Sequence, residues 1–132
     1  PYIHQGDLPD PNFGRGRSPA DFTPPVLKLG AHVAPVGLTF YRGDTFPNAY
    51  DNTLFWAEHG SWNRSDKSGY RVMMGRVNAD NSGIAENAPF VEGWLQGQRN
   101  WGRPVDVLNM PDGSVLISDD MANVIYRVTY DG

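Results

Sequence analysis

The chain has 132 residues, of which 39% are hydrophobic and 20% charged, with a formal net charge of −4 at neutral pH. These values are typical of one globular domain, and an acidic balance without a basic stripe argues against nucleic-acid binding. The absence of cysteine excludes disulfides and thiolate metal sites. We find neither an apolar run of the ~18 residues that a membrane span needs nor a signal peptide. Because position 1 is Pro1, we expect a processed, excised or engineered piece.

The distribution of prolines and glycines predicts an all-β fold. Eleven prolines and fifteen glycines interrupt the chain so often that long helices are disfavoured. Residues 1–24 are rich in Pro, Gly and Asp and predict an extended arm. Eight short segments rich in β-branched or aromatic residues follow, each bounded by turn residues. They are 25–30, 37–43, 52–60, 70–77, 88–95, 103–110, 114–120 and 123–130.

Residues 37–77 and 104–130 resemble one unit written twice. Each has an apolar strand, a turn with Pro and Asp, and a second strand ending in acidic residues. A Tyr-Arg-Val tripeptide then follows, at 70–72 and at 126–128. Repeats of four short strands are typical of β-propeller blades. The alternative is a generic meander in which the tripeptide recurs by chance.

Under the propeller interpretation, residues 37–95 form one complete blade of four antiparallel strands, and 103–130 form three strands of a second blade. Residues 25–30 then supply the outer strand of a neighbouring blade, so one chain holds two blades' worth of strands in permuted order. Two blades alone would leave open sheet edges, whereas propellers close with about four to eight blades. We therefore expect copies to assemble head to tail, with a six-bladed homotrimer favoured.

The propeller interpretation also predicts where the polar loops lie. The connection between strands 52–60 and 70–77 and the segment "QGQRNWGRP" both carry cationic and indole side chains. Both project to the same face, which is also reached by Asp119 and Asp120 and on which binding residues usually lie. The segments "DTFPNAYDN" and "NMPDGS" are predicted to form tight turns at the opposite face.

Four stretches carry a family resemblance: "AHVAPVGLTFYRGDTFP", "LFWAEHGSWNRSDKSGYRV", "WGRPVDVLNMPDGSVLISDD" and "IYRVTY". Together they resemble the C-terminal part of the soluble sugar dehydrogenases that depend on pyrroloquinoline quinone (PQQ), the glucose/sorbosone dehydrogenase family. The resemblance covers roughly residues 25–130. It implies a six-bladed propeller that oxidises sugars, passes two electrons to PQQ beside a calcium ion, and is periplasmic or secreted.

The same resemblance implies which residues meet the cofactor. Arg103 occupies the position of an arginine that approaches PQQ, and His59 and Arg64 lie where the preceding blade supplies a polar or cationic contact. PQQ is a tricarboxylate, which suits the fork of donors on an arginine. Trp62 and Trp101 offer flat faces to a quinone or a sugar ring.

Structural roles for the same residues stay open. The His59 ring could bond the loop backbone, and Trp62 could cover a blade interface. The arginines could form ion pairs with Glu58, Asp119 or Asp120, and the two aspartates could hold Ca²⁺.

The histidine base and the calcium-binding segment of the family belong to earlier blades, and nothing in this chain corresponds to them. We therefore expect part of the quinone and sugar site, and no activity from this chain alone. The alternative function is a non-catalytic, self-assembling propeller module with at most residual sugar or anion binding.

Overall fold

The computed structural model describes residues 3–4 and 7–132. Every strand pair in this part of the chain is antiparallel, and neither an α-helix nor a helix able to cross a membrane occurs in it. The all-β prediction is therefore confirmed. The strands are β1 (Ile3–His4), β2 (Leu8–Pro9), β3 (Pro35–Phe40), β4 (Thr53–Glu58), β5 (Arg71–Val77), β6 (Ile84–Val91), β7 (Leu95–Gln96), β8 (Arg99–Asn100), β9 (Pro104–Asn109), β10 (Val115–Asp119) and β11 (Val124–Val128), with 3-10 helices at Pro19–Asp21 and Asn48–Tyr50.

The first large sheet is a four-stranded meander in the order β3-β4-β5-β6. Three of its strands lie within three residues of their predicted bounds, but β6 begins at Ile84 rather than at residue 88. The prediction missed the first half of β6 because Glu86 and Asn87 are polar and residues 85–87 are exposed. The strand ends at Val91, and Gly93, whose φ is 120°, follows in the turn.

The second large sheet has three strands in the order β11-β10-β9. All three lie inside the segments predicted for them, and β11 has an open edge within the described structure. Residues 25–30 form no strand, so the strand predicted there is not present within the chain. Its pairing with another molecule or segment stays a prediction.

The predicted arm, residues 1–24, lies partly outside the described residues. Its described part contains the short β1–β2 pair and the 3-10 helix Pro19–Asp21. Ser18 caps this helix by accepting a hydrogen bond from the amide of Ala20. The arm is therefore more ordered locally than an extended loop.

The core lies between the two large sheets, with β9 against β3 and β4. Phe55 and Ala57 point into it from β4, and Val115 and Ile117 point into it from β10. Alternate residues of a strand point to opposite faces, so each sheet has an inward face toward this core and an outward face away from it. The other buried members of the core are Tyr41, Phe46, Tyr70, Val72, Trp94 and Val107.

The outward faces are also apolar. Leu38 and Phe40 pair with Trp56 and Leu54, which point away from the face that holds Phe55. Leu38 and Phe40 therefore lie on the outward face, and both are exposed. In the second sheet, Leu108 and Ile125 pair with Leu116 and Ser118 and are exposed in the same way. Within the described chain, these outward faces are therefore only partly covered.

The two Tyr-Arg-Val tripeptides do not occupy equivalent places. Glu58 and Asp119 end the second strands of the two sheets, and each pairs with the proline that opens the first strand. Arg71 pairs with Glu58, whereas Arg127 pairs with Leu116, three residues before Asp119. The strand pattern is repeated, but the alignment of the tripeptides was wrong.

Candidate functional site

Three loops meet at one end of the two sheets, here called the loop end. They are residues 59–70, 92–103 and 120–123. The His59 Nε2 atom lies 2.9 Å from Asp120 Oδ1. The side-chain Nδ2 of Asn100 donates to the sulfur of Met121 at 3.1 Å. Lys67 joins the first two loops, because its Nζ atom donates to Asn100 Oδ1. The predicted common face is confirmed.

The opposite end of the sheets is closed by tight turns, as predicted. The Tyr41 hydroxyl donates to the carbonyl of Gly113 at 2.9 Å, and the Thr45 hydroxyl donates to the carbonyl of Asp112 at 2.7 Å. Asp112 also accepts from the amide and the hydroxyl of Ser114. These contacts join the two sheets at the end opposite to the loop end.

The loop 59–70 is held in shape by bonds within itself. The Tyr70 hydroxyl donates to the carbonyl of Ser61, and the Ser68 amide donates to Ser61 Oγ at 3.1 Å. Gly60 adopts a φ of 96°, and a Cβ atom there would lie 2.5 Å from the Tyr70 ring. Glycine is therefore required at this position on two grounds, the left-handed backbone and the ring packed against it.

A preceding segment supports the loop from one side. The amides of His59 and Gly60 donate to the carbonyls of Ala34 and Val33, at 3.0 and 2.9 Å. Ala34 has a φ of 53°, a conformation that costs a non-glycine residue about 1–2 kcal/mol. A strained backbone conformation of this kind is kept where surrounding bonds fix it. Here it directs the carbonyls of Val33 and Ala34 toward the loop.

Arg103 supports the loop from the other side, across the junction of the two sheets. Its Nε donates to the carbonyl of His59 at 3.0 Å and its Nη2 to the carbonyl of Gly60 at 2.8 Å. Its guanidinium carbon lies 5.7 Å from the centre of the Tyr70 ring, within the range of a cation–π contact. Arg103 makes no ion pair with a carboxylate in the described structure, so the ion-pair alternative was wrong for it.

Asp119 is a buried acceptor that holds the backbone of the second sheet in place at the loop end. Its Oδ1 accepts from the amides of Arg103, Met121 and Ala122 at 2.8–3.0 Å, and its Oδ2 accepts from the Tyr126 hydroxyl at 3.1 Å. Burial raises the pKa of Asp119, but the hydrogen bonds, led by those from the amides of Ala122 and Arg103, outweigh it and lower the pKa below its ordinary value. Asp119 is therefore a structural anchor, with both of its oxygens hydrogen-bonded within the chain.

Glu58 is the corresponding buried carboxylate of the first sheet. Its Oε2 accepts from Arg71 Nε at 2.8 Å, and its Oε1 accepts a longer bond of 3.4 Å from Trp56 Nε1. The alternative in which Glu58 pairs with Arg64 or Arg103 was wrong, because Glu58 forms its ion pair with the cross-strand residue Arg71.

The five predicted site residues fall into three groups. His59 and Arg103 are brought into contact. Trp101 packs beside Trp94 and donates from its Nε1 to the carbonyl of Gly93 at 2.8 Å. Arg64 donates to the carbonyl of Ala31 at 2.9 Å, and Trp62 is 84% exposed and covers no interface within the chain.

Two members of the loop end were missed by the sequence analysis. Lys67 lies over the Tyr70 ring, with its Nζ atom 5.9 Å from the ring centre, and its amide donates to Gln98 Oε1 at 2.7 Å. Tyr70 itself was treated only as part of a repeated tripeptide. The presence of Lys67 in the loop was visible in the sequence, but its approach to residues 98–100 was not.

The donors at the loop end fit an anionic, flat cofactor in part. Arg64 keeps one terminal nitrogen, and Trp62 keeps a whole ring face, without a partner in the described structure. The same end does not fit a calcium ion. Asp119 accepts hydrogen bonds from three amides and from Tyr126. Within residues 3–4 and 7–132, no group of three or more His, Cys, Asp or Glu side chains is placed to hold a metal ion.

The architecture is shared with solved structures. The chain superimposes on the holo form of the pyranose dehydrogenase PQQ domain from Coprinopsis cinerea with a TM-score of 0.60 and 24% identity, over 84% of this chain and 30% of that one. It superimposes on the calcium structure of the Trichoderma reesei Carbohydrate-Active Enzymes Family AA12 with a TM-score of 0.70 and 20% identity, over 92% of this chain and 32% of that one. The protein is therefore an all-β scaffold of the class found in PQQ dehydrogenase domains.

The sequence assigns the chain more narrowly. The family described as TrAA12-like matches residues 16–131, and the chain belongs to this family. It is 45% identical over 111 residues to an uncharacterized protein of Borreliella burgdorferi, covering 83% of this chain and 29% of that protein. It is 29% identical over 128 residues to a pyrroloquinoline quinone-dependent pyranose dehydrogenase of Coprinopsis cinerea, covering 83% of this chain and 17% of that protein. The chain thus spans less than a third of either relative.

Proposed function

We propose that this chain supplies one wall of the quinone and sugar site of a PQQ-dependent sugar dehydrogenase, of the pyranose, glucose or sorbosone type. The observation that supports this most strongly is the loop end, where Arg103 ties the His59 loop of the first sheet to the second sheet. Membership of the TrAA12-like family supports the same activity, as does the name of the Coprinopsis relative. A periplasmic or secreted location is part of the proposal and rests on the family resemblance.

Each residue of this wall has a distinct part. Arg64 and Trp62 are the exposed groups and would hold the cofactor, by a charge-assisted bond and by stacking. Arg103 orients the loop, because two of its nitrogens donate to loop carbonyls. Its third nitrogen, Nη1, would donate to the cofactor. PQQ, when bound, supplies the two-electron acceptor; the chain's own residues bind and orient.

We expect no turnover from this chain alone. Oxidation of a sugar hydroxyl requires a base that removes its proton, and the resemblance places that base and the calcium ligands in segments with no counterpart here. The commitment of Asp119 to backbone amides supports this part of the proposal, because it takes a carboxylate away from metal binding.

A spectral titration with PQQ and Ca²⁺, followed by a glucose assay with a reducible dye, tests the proposal. We expect weak saturable binding without dye reduction. The double variant Trp62→Ala/Arg64→Ala should weaken binding by about tenfold or more, since it removes a stacking face and a charge-assisted bond. The matched control is Arg76→Ala, an arginine bound to the carbonyl of Ala49 away from the loop end. No saturable binding, or equal weakening by the control, would contradict the proposal.

The second candidate function, a self-assembling propeller module, is favoured by a different observation. Both outward faces expose apolar side chains. Among residues 3–4 and 7–132, no strand pairs with the outer edge of β11 and none pairs with residues 25–30. The chain covers 32% of the Trichoderma chain, so three copies match one such chain in length. We propose that copies join head to tail, residues 25–30 of one copy pairing with β11 of the next, in a six-bladed ring.

A further inference from the structure

We infer that Asp120 is a positioning residue that fixes the tautomer of His59, so that the free ring nitrogen of His59 accepts a hydrogen bond from a hydroxyl-bearing ligand. The ligand class is a polyol or sugar, and not a quinone oxygen or a carboxylate. The identity of the ligand rests on the proposed function; the role of Asp120 does not.

The inference starts from the bond between the two side chains. Asp120 Oδ1 lies 2.9 Å from His59 Nε2. A carboxylate has no proton to give and only accepts, so Nε2 must carry the hydrogen. A neutral imidazole has one N–H group, and its other nitrogen, Nδ1, then presents a lone pair.

The main chain of His59 is held by two hydrogen bonds, and the ring is held by its burial and by the bond to Asp120. Its amide donates to the carbonyl of Ala34 at 3.0 Å, and its carbonyl accepts from Arg103 Nε at 3.0 Å. The ring itself is only 21% exposed, whereas Asp120 is 61% exposed. Three independent bonds, from three different segments, therefore hold His59, and Nδ1 is its one polar atom without a partner in the described structure.

The lone pair on Nδ1 decides which ligands it can meet. A hydroxyl can donate to it, whereas a quinone oxygen or a carboxylate brings a second lone pair and is repelled. Sugars carry several hydroxyl donors, whereas PQQ presents three carboxylates and two quinone oxygens and has a single ring donor, its pyrrole N–H. Of the two ligands that the proposed function brings to this end, His59 therefore suits the sugar, and the exposed Arg64 suits the cofactor.

Nitrogen NMR of the ¹⁵N-histidine-labelled chain at mildly alkaline pH tests the tautomer directly. We expect His59 to show a protonated Nε2 and a lone-pair Nδ1. His32 is exposed and has no bonded partner in the described structure, so it serves as an internal reference with exchanging tautomers. In Asp120→Ala, the His59 signals should collapse toward those of His32. Asp120→Glu should retain part of the preference, and the control Asp131→Ala should change nothing.

A protonated Nδ1, an imidazolium, or averaged signals for His59 in the unaltered chain would overturn the inference. So would unchanged His59 signals in Asp120→Ala. Loss of the His32 or backbone signals together with those of His59 would mark an unfolded variant, and the Asp120→Glu variant then decides.

Addition of glucose or of tricarballylate, a tricarboxylate without a hydroxyl group, tests the ligand class in the same sample. Glucose should shift the Nδ1 signal and tricarballylate should not, and the glucose response should be lost in Asp120→Ala. A response to tricarballylate, or to neither compound, would overturn the assignment of a hydroxyl ligand. If the tautomer is confirmed while PQQ titration shows no binding, the proposed function fails and the role of Asp120 stands.

Discussion

The inward and outward faces of the two sheets are built from the same strands, yet they differ sharply in burial. On the inward face Phe55 is fully buried, whereas Phe40, on the neighbouring strand and the outward face, is 42% exposed. Ile117 and Ile125 show the same contrast in the second sheet, with 0% and 67% exposure. A sheet that is apolar on both faces is typical of a middle layer, covered on each side. We therefore expect the outward faces to be covered by neighbours beyond the described chain.

The largest expected effect separates the two faces directly. Phe55 packs against Phe90 with ring centres 4.3 Å apart and also contacts Tyr41. Phe55→Ala should lower the free energy of unfolding by about 4 kcal/mol, through lost burial and the cavity that remains. The matched variant Phe40→Ala should lower it by less than about 1 kcal/mol. Urea unfolding of both measures the contrast, and equal losses would show that the outward face is already packed.

Overpacking at the junction of the sheets is the next largest effect. A Cβ at Gly102 would lie 2.2 Å from Asp119 Oδ2 and 2.4 Å from Trp94 Cδ1. Gly102→Ala should therefore cost about 2 kcal/mol. Gly83→Ala is the control, because a Cβ there meets only Asn78 Nδ2 at 3.6 Å. A neutral Gly102→Ala would contradict the close approach of the second sheet to the loop end.

The two arginines of the repeated tripeptide differ in the burial of their partners, so we expect them to differ in their contribution to stability. Arg71 pairs with the buried Glu58, whereas Arg127 pairs with Asp112 at an exposed turn. Arg71→Ala leaves a buried carboxylate without its main partner, and we expect a loss of about 2 kcal/mol after allowance for the partial exposure of Arg71. Arg127→Ala should change stability little. Thermal unfolding of both variants is the measurement, and a larger loss for Arg127→Ala would reverse the assignment.

The smallest effect concerns pH and the inward-facing Asp119. Its lowered folded-state pKa gives stability that is fully present above the unfolded value of about 3.9 and is lost as the pH falls through the folded value. Tyr126→Phe removes one donor to this carboxylate and should cost about 1 kcal/mol at neutral pH. The difference from the unaltered chain should shrink below about pH 4. Denaturant midpoints measured across this range provide the test, and a constant difference would contradict it.

The strands were predictable because apolar and β-branched residues alternate with turn residues, and seven of the eight predicted segments contain or overlap a strand. Segment 25–30 failed because a strand also needs a partner, which its own residues do not specify. The β7–β8 pair was missed since two-residue strands carry no periodic pattern.

The loop end was predictable as a place, but its contacts were not. His59 and Arg103 were correctly expected at one face. Arg103 binds two carbonyls and Asp120 bonds the His59 ring. Both contacts depend on the backbone geometry at Gly60 and Ala34. Loop backbone of this kind follows from the packing of several segments at once, which residue spacing does not encode.

Sedimentation equilibrium, which gives the solution mass of the chain, shows whether the outward faces dock onto further copies. A single chain weighs 14.6 kDa, and we expect a discrete species of three chains. Leu38→Glu or Ile125→Glu should each convert it to the single chain, because a buried charge without a partner is strongly unfavourable. A monodisperse 14.6 kDa species for the unaltered chain would contradict the account.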